Sequence, residues 1–375
     1  MTMIASPVLP LAMQMVRPPN EVLTAADFNS WLGTVASGTV INLTGLNVDA
    51  TEGPICLVDR SDLTFLGGTF TQSNDGSSVT SKSWAPGLAS VWPRNRAFFY
   101  CVRSSRIQWI DTTVVGTNTV GEYKGQSFEE QAGFALRHCS DVTITSPKVQ
   151  SIFGDVVSVV HEDANRLPCE RVAVVDVDAE FLGRNLVSVV SCIDFDLHGA
   201  KVWKTARSCF NIEPAVESNI CRRIRARNVS ASAVGGVLVG NLGGSNNVSD
   251  IILTDMRLTD KPVSITMQGR TDRPGRRSNY TLERISGNGK GVANGVCVNI
   301  TNIDNVAIRD VWQRVAGYLA DSTGKVIYPG IGMKANSVNS LILERVEFPK
   351  GSTAKTTGDV TPWVFTNCTD VQITY

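Results

Sequence analysis

A short pattern returns eleven times along this chain of 375 residues: a polar residue, an apolar anchor, and a second apolar residue two positions after the anchor. The anchors are separated by tens of residues and are Leu63, Ile107, Val142, Val172, Phe195, Ile224, Ile251, Tyr280, Val306, Leu341 and Val371. Self-similarity with such a period is typical of a solenoid, in which each repeat buries its apolar face on its neighbours. The alternation of apolar and polar residues within each repeat predicts a strand.

A second apolar segment ahead of most anchors predicts another strand in each repeat. These segments are short and often follow Gly or Pro: Ile55–Leu57, Phe99–Cys101, Val157–Val159, Leu186–Val190, Phe210–Ile212, Val237–Val239 and Val263–Ile265. No stretch of helical period lies within the repeats, which excludes leucine-rich and helical repeats. We therefore expect an all-β fold, a single-stranded parallel β-helix of about 11 coils.

The residue just before the anchor alternates in charge over the first seven repeats, as Asp62, Arg106, Asp141, Arg171, Asp194, Arg223 and Asp250. Successive coils lie about 4.8 Å apart, so opposite charges support the register and like charges repel. A second alternating column, four residues after the anchor, consists of Asp255, Arg284, Asp310 and Arg345. We interpret both columns as exposed pairs that control register rather than as catalytic groups.

Four of the nine cysteines occupy one position, three residues before the anchor: Cys139, Cys169, Cys192 and Cys221. Aliphatic residues take this position in later repeats, so we expect an inward-facing column of reduced thiols. The chain has only three histidines and no cysteine pair with metal-ligand spacing, so we expect neither a metal site nor a cofactor.

Composition argues against two classes of partner. Lys plus Arg equals Asp plus Glu, at 35 each, so no strong positive field favours a nucleic acid. The apolar stretch Met1–Val16 lacks a basic start and is broken by Pro7 and Pro10, so we expect an extended arm rather than a secretory signal or membrane insertion. Cytoplasmic synthesis fits the free thiols.

Three regions follow from these patterns. Residues 1–20 form the arm, 21–38 contain a short helix that caps the first coil, and 39–375 form the β-helix. Its loop insertions are expected at about 71–97, 115–131, 268–278 and 312–329. The sequence stops in mid-strand at Tyr375, so the last coil calls for a covering subunit and we expect an oligomer.

The helix followed by Gly38–Leu43, the coils, Gly154–Asp155 and Phe210–Pro214 resemble the pectin-lyase-like right-handed β-helix proteins of bacteriophages: tailspikes, minor tail proteins and virion spikes. The resemblance covers roughly residues 20–375. It implies that each chain forms a right-handed β-helix and that three chains form a homotrimer. The homotrimer would be assembled in the bacterial host cytoplasm and joined to tail, neck or capsid proteins through Met1–Asn20.

The function that this resemblance implies is that of a virion structural protein whose loops recognise a host-surface glycan. The alternative is a glycan-degrading tailspike enzyme, either a glycoside hydrolase or a polysaccharide lyase. We expect the first, with little or no enzymatic activity.

Glycosidases need two carboxyl groups about 5–9.5 Å apart. Asp155 and Glu213 are the first candidates. The anchor alignment displaces them by about five residues along the strand, or ~16 Å at the usual rise per residue of a strand. It also places them two coils apart. We therefore expect turn or strand-end residues that bond to backbone, rather than a catalytic pair.

The second set of weak catalytic candidates is His161, Glu162 and Asp163. They lie in an insertion, beside a long loop that contains Glu122, Glu129 and Glu130. A groove between these loops would hold a general acid and a general base; the alternative is solvated loop charge. A lyase would use a Lys or Arg base with carboxylates nearby, and Arg184 and Lys201, which lie near Asp178 and Glu180, are the candidates.

Aromatic residues in the insertions give better support to binding. The candidates for glycan contact are Trp84, Trp92, Tyr123, Tyr318 and Tyr328. Long loops are often functional, and flat aromatic faces suit sugar rings. The alternative is that these side chains pack the loops onto the helix or into a subunit interface.

Overall fold

The computed structural model describes residues 14–19, 24–75, 96–161, 167–261, 263–288, 296–313, 319–320, 326–327, 331–347 and 361–375. Its one α-helix within these ranges is α1 (Ala25–Leu32), and a short 3₁₀ helix covers Gln126–Phe128. No helix in these ranges is long and apolar enough to span a membrane.

The strands are short at first and lengthen towards the middle of the chain. In chain order they are β1 (Gln14–Val16), β2 (Thr39–Asn42), β3 (Asn47–Asp49), β4 (Ile55–Val58), β5 (Ser61–Leu66), β6 (Thr69–Thr71), β7 (Phe99–Val102), β8 (Ser105–Ile110), β9 (Thr113–Val115), β10 (Phe134–Arg137), β11 (Ser140–Thr145), β12 (Lys148–Gln150), β13 (Val157–Val160), β14 (Cys169–Leu182), β15 (Val187–Val189), β16 (Cys192–Thr205), β17 (Phe210–Ile212), β18 (Cys221–Val234), β19 (Val239–Asn241), β20 (Val248–Leu258), β21 (Ile265–Gln268), β22 (Arg277–Gly287), β23 (Val296–Thr301), β24 (Ile303–Gln313), β25 (Leu319–Ala320), β26 (Val326–Ile327), β27 (Ile331–Asn336), β28 (Asn339–Glu347), β29 (Thr361–Thr366) and β30 (Thr369–Thr374).

Two parallel sheets wind along the molecule. Sheet B consists of β4, β7, β10, β13, β15, β17, β19, β21, β23, β27 and β29. A short antiparallel pair joins β25 to β26, and the other strands belong to sheet A. Each coil of the chain therefore contributes to both sheets and stacks on the next coil, which confirms the predicted all-β parallel β-helix.

The predicted register is confirmed at every anchor. Leu63 pairs with Ile107, and the column continues through all the remaining anchors to Val371. The anchors from Leu63 to Leu341 are at most 1% exposed. A single column of apolar side chains thus runs through the core, as stacking of identical strand positions requires.

Two segments of sheet B begin two residues later than predicted. The strand expected at Val237–Val239 is β19, which begins at Val239. The strand expected at Val263–Ile265 is β21, which begins at Ile265. Leu238 and Val263 are nevertheless fully buried. They point inward from the bend ahead of the strand, and apolarity alone does not distinguish such a residue from a strand residue.

The charge columns form ion pairs between coils, as predicted. Arg106 contacts Asp62 at 2.6 Å, and Arg345 contacts Asp310 at 2.6 Å. The sequence did not reveal the backbone at these positions: every residue just before an anchor has a φ between 48° and 62°. This left-handed conformation bends the strands within sheet A and is one that Asp and Asn tolerate better than most residues. The pairs are exposed, so they contribute little to stability.

The N-terminal helix packs on the first coils. Thr24 caps α1, and its side chain and that of Asp27 form a reciprocal capping box. Phe28 is fully buried and lies 6.1 Å from the Phe70 ring. The Asn29 amide bridges to β4, donating to the Pro54 carbonyl and accepting from the Cys56 N–H. The helix is therefore fixed to sheet B by polar as well as apolar contacts.

The predicted cysteine column is present in the core. Cys169, Cys192 and Cys221 pair in register, and all nine cysteines are free. Burial raises the pKa of Cys221 to about 12, so this thiol is unreactive.

A buried arginine takes the same position in a later coil. Arg277 is fully buried and donates to the Asn241 and Ser245 carbonyls at 2.8–3.2 Å, as well as to the Asn241 side chain. Asn241 in turn donates to the Tyr280 hydroxyl at 2.7 Å. A cation thus lies in the core with neutral oxygens as its hydrogen-bond partners, and burial lowers its pKa.

Replacing Arg277 by Met should destabilise the protein by about 2–4 kcal/mol, because buried carbonyls lose their donors and each unsatisfied group costs about 1–3 kcal/mol. Urea unfolding measures the change. Arg225→Met, the same replacement on the exposed face, is the matched control and should change little. Equal stability of the two variants would contradict this assignment.

Candidate active site

A cavity of about 330 Å³ opens on the outer face of sheet B. Its floor is formed by β10 and β13, through the residues that alternate with core side chains: Ala135, Arg137, Ser158 and Val160. The segment between β9 and β10 forms a wall with Gln126, Glu129, Glu130 and Ala132. The lining is completed by His161, Arg184, Val190, Glu213 and Ala215.

Arg184 lies at the centre of the charged groups of this cavity. Its Nη1 donates to Asp155 Oδ2 at 2.6 Å and its Nη2 to Glu213 Oε2 at 3.0 Å. Its Nε lies 3.4 Å from Glu129 Oε2. The Asp155 side chain is 1% exposed and that of Glu213 38% exposed. One guanidinium therefore joins a buried carboxylate to two carboxylates that line the cavity.

The expectation that Asp155 and Glu213 lie too far apart is wrong. Both contact one guanidinium, whose terminal nitrogens are about 2.3 Å apart, so their nearest oxygens are within about 8 Å. The estimate from strand rise failed because β13 begins only at Val157, so Asp155 belongs to a bend and its neighbours do not advance like a strand. The side chains then converge from opposite ends of β15.

Glu129 and Glu213 form a second pair of neighbouring carboxylates. Glu129 and Glu213 contact different nitrogens of Arg184, which places their nearest oxygens within about 9 Å of each other. Two carboxyl groups about 5–9.5 Å apart are the requirement for glycoside hydrolysis. Both line the cavity, whereas Asp155 lies beneath Arg184.

Burial raises the pKa of Glu213, and the negative charges of Asp155 and Glu129 add to this effect, while Arg184 opposes it. Burial likewise raises the pKa of Asp155, against the effect of Arg184. Three carboxylates share one cation, so protonation of Glu213 relieves repulsion in the cluster. Its two hydrogen bonds, from Arg184 and Asn211, both reach Oε2.

The predicted aromatic Tyr123 is part of this network. Its hydroxyl donates to Glu129 Oε1 at 2.6 Å. The Arg207 guanidinium lies 4.0 Å from the centre of its ring. Tyr123 therefore holds a carboxylate of the cavity and is covered on one face by a cation. The geometry supports a positioning role for Tyr123, and glycan contact by its ring stays a prediction.

The other predicted site residues divide into two groups. His161 lines the cavity together with Glu129 and Glu130, so the structure brings the two predicted loops to one groove. The remaining candidates lie outside the described residues: Glu162, Asp163, Trp84, Trp92, Tyr318 and Tyr328.

The role of Arg184 as the centre of the cluster was missed from the sequence. The available signal was spacing, because Asp155 and Glu213 lie 29 residues before and after Arg184. That interval is about one coil.

A row of small or polar residues runs across the coils from the cavity-lining Ser158. Ser158, Ser188, Asn211 and Gly240 pair in register on the outer face of sheet B. A Cβ on Gly240 would lie 2.7 Å from Asn211 Oδ1, so this glycine leaves room for the amide that donates to Glu213. The row thus leaves room for the Asn211 amide, which orients the Glu213 carboxyl group.

No protein-family model matches the chain, and no curated protein matches it by sequence. Solved structures match it at low identity. The endo-xylogalacturonan hydrolase of Aspergillus tubingensis is 10% identical, with a TM-score of 0.52 over 92% of this chain and 99% of that one. The catalytic domain of a GH87 α-1,3-glucanase is 13% identical, with a TM-score of 0.50 over 99% of this chain and 66% of that one.

PfbA, a surface adhesin of Streptococcus pneumoniae, is 8% identical, with a TM-score of 0.47 over 96% of this chain and 82% of that one. At such identities the likeness concerns the fold alone. The chain has the parallel β-helix fold of these structures.

Proposed function

We propose that this protein is a glycan-cleaving β-helix enzyme whose active site is the cavity around Glu213. The observation that carries the proposal is the pair Glu213 and Glu129, two cavity-lining carboxylates held within hydrolytic distance by Arg184. The site thereby favours the enzyme alternative over the expectation of a non-enzymatic spike.

In this proposal Glu213 is the general acid. Its raised pKa keeps a proton available, and its Oε1 accepts no hydrogen bond from the described residues. The proton passes to the glycosidic oxygen as the bond from the sugar carbon to that oxygen breaks. Glu129, held by Arg184 and Tyr123, assists attack on the sugar carbon, and a water molecule supplies the new hydroxyl and the returned proton.

The test is to incubate the purified protein with bacterial capsular and O-antigen polysaccharides and to measure new reducing ends and product masses. We expect at least one glycan to be cut into fragments of defined length, and Glu213→Gln to stop the cleavage. Binding without cleavage would replace the enzyme by an adhesin. Neither binding nor cleavage would overturn the proposal.

The setting we propose is the phage virion, as the sequence resemblance implies. The glycan would then be a host-surface polysaccharide, and Met1–Asn20 would join a homotrimer to other virion proteins. In the described part of this segment, residues 14–19, strand β1 pairs with β2 of the first coil. Light scattering should give the mass of three chains, and antibody labelling should locate the protein on the particle; a monomer that is absent from particles would contradict this setting.

A further inference from the structure

We infer that the sugar unit bound beside Glu213 carries no acidic group, so that the substrate is a neutral or amino-sugar glycan. This inference rests on the proposed function and adds the substrate class. Among the described residues that line the cavity, three are glutamates (Glu129, Glu130 and Glu213) and two are arginines (Arg137 and Arg184). The buried Asp155 adds a fourth carboxylate directly beneath. Even with Glu213 protonated, acidic groups outnumber basic ones.

Neither arginine presents an open cation to a ligand. Arg184 is 15% exposed, and its three nitrogens already face Glu129, Asp155 and Glu213. Arg137 is 5% exposed, and its guanidinium lies 5.7 Å from the centre of the Tyr100 ring. Recognition of a carboxylate by arginine needs a free pair of N–H groups. The described lining therefore lacks the group that a uronate would require.

An acidic sugar would add a further negative charge to this partly desolvated cluster, where repulsion is stronger than in water. Sugar hydroxyls and ammonium groups, in contrast, donate hydrogen bonds to carboxylates. The inferred substrate class also distinguishes a glycoside hydrolase from a polysaccharide lyase. A lyase eliminates across a bond next to a substrate carboxylate, so a cavity that rejects uronates favours hydrolysis.

The experiment compares acidic glycans with their carboxyl-reduced forms, which keep the linkage and lose the charge. The probes are the capsular and O-antigen polysaccharides that bind, together with polygalacturonate, alginate and chitosan oligosaccharides. Calorimetry at low and physiological salt measures affinity. We expect the reduced form to bind at least about tenfold more tightly than its acidic parent at low salt, with a smaller ratio at higher salt. Chitosan binding distinguishes an amino sugar from a neutral one.

The variant Glu129→Gln serves as the internal check, because it removes one charged carboxylate from the cavity with little change in shape. This variant should lower the ratio of the affinity for the carboxyl-reduced glycan to the affinity for its acidic parent. Tighter binding of the acidic parent would overturn the inference and leave the proposed enzyme intact. If no probe is bound or cleaved, the proposed function fails and the inference fails with it.

Discussion

Replacing Glu213 by Gln should lower the rate of glycan cleavage by about 10²–10⁴-fold, the usual contribution of a general acid. Glutamine preserves the shape of the side chain and its contact with Asn211 but carries no transferable proton. Binding of the glycan should survive, so kcat should fall while KM changes little. Initial rates of reducing-end release, over a range of glycan concentrations, separate these two effects.

The pH dependence gives a second readout of the same residue. Glu213 must be protonated to act, so activity should fall as the pH rises through its pKa. Burial and the neighbouring carboxylates raise that pKa, so the alkaline limb should lie above the range of an ordinary glutamate. Substituting Asp155 by Asn removes one negative neighbour and should move this limb to lower pH. A profile that does not respond to Asp155→Asn would assign the limb to another group.

Asp141→Asn is the matched control for these variants. Asp141 is exposed and pairs with Arg171 in the charge column, on the other sheet. The same loss of charge there should leave both the rate and its pH profile unchanged. An equal loss of activity in this control would mean that Glu213→Gln acts through the fold rather than through proton transfer.

The fold was readable from the sequence because one constraint repeats. Every coil must place an apolar side chain over that of the preceding coil, so the anchors from Leu63 to Val371 recur in one column. The charge column recurs for a related reason, because its side chains in successive coils are only about 4.8 Å apart and like charges there would repel. Local rules of this kind survive loops of different length, because each coil contacts only its neighbours.

The site was harder to predict because it depends on side-chain reach rather than on strand register. Glu213 follows β17, and Asp155 precedes β13. A register argument therefore separates them, whereas the long Arg184 side chain extends between them. Arg184 itself follows β14 at the turn into sheet B. No fixed rise per residue applies to a bend, so distances across it cannot be calculated from the sequence. The convergence of these three side chains is therefore visible only in the three-dimensional structure.

Removing the Arg184 side chain by Arg184→Met should destabilise the protein by about 3–5 kcal/mol, because it leaves the carboxylate of Asp155 buried without its cation. Asp155 would keep the hydrogen bonds from the Asn185 N–H and the Ser188 hydroxyl, but neutral donors do not replace an ion pair. Urea unfolding at neutral pH measures the loss. Arg171→Met, at an exposed pair with Asp141, is the matched control and should have little effect.

The double variant Arg184→Met with Asp155→Asn distinguishes loss of charge balance from loss of packing. If the unpaired carboxylate causes the destabilisation, its replacement by an amide should restore most of the stability. The two changes then couple strongly, as expected for partners in one network. Additive losses would contradict the explanation and would mean that Arg184 stabilises mainly through its aliphatic stem.

The stability lost in Arg184→Met should also depend on pH in a defined direction. Burial raises the folded-state pKa of Asp155, so the proton-linked stabilisation is complete below the unfolded pKa and is lost as the pH rises through the folded one. Without Arg184 the folded pKa rises further, since the attraction that opposed burial is gone. The deficit of the variant should therefore be smallest in acid and grow towards neutral pH, and a deficit that is constant with pH would exclude Asp155 as its source.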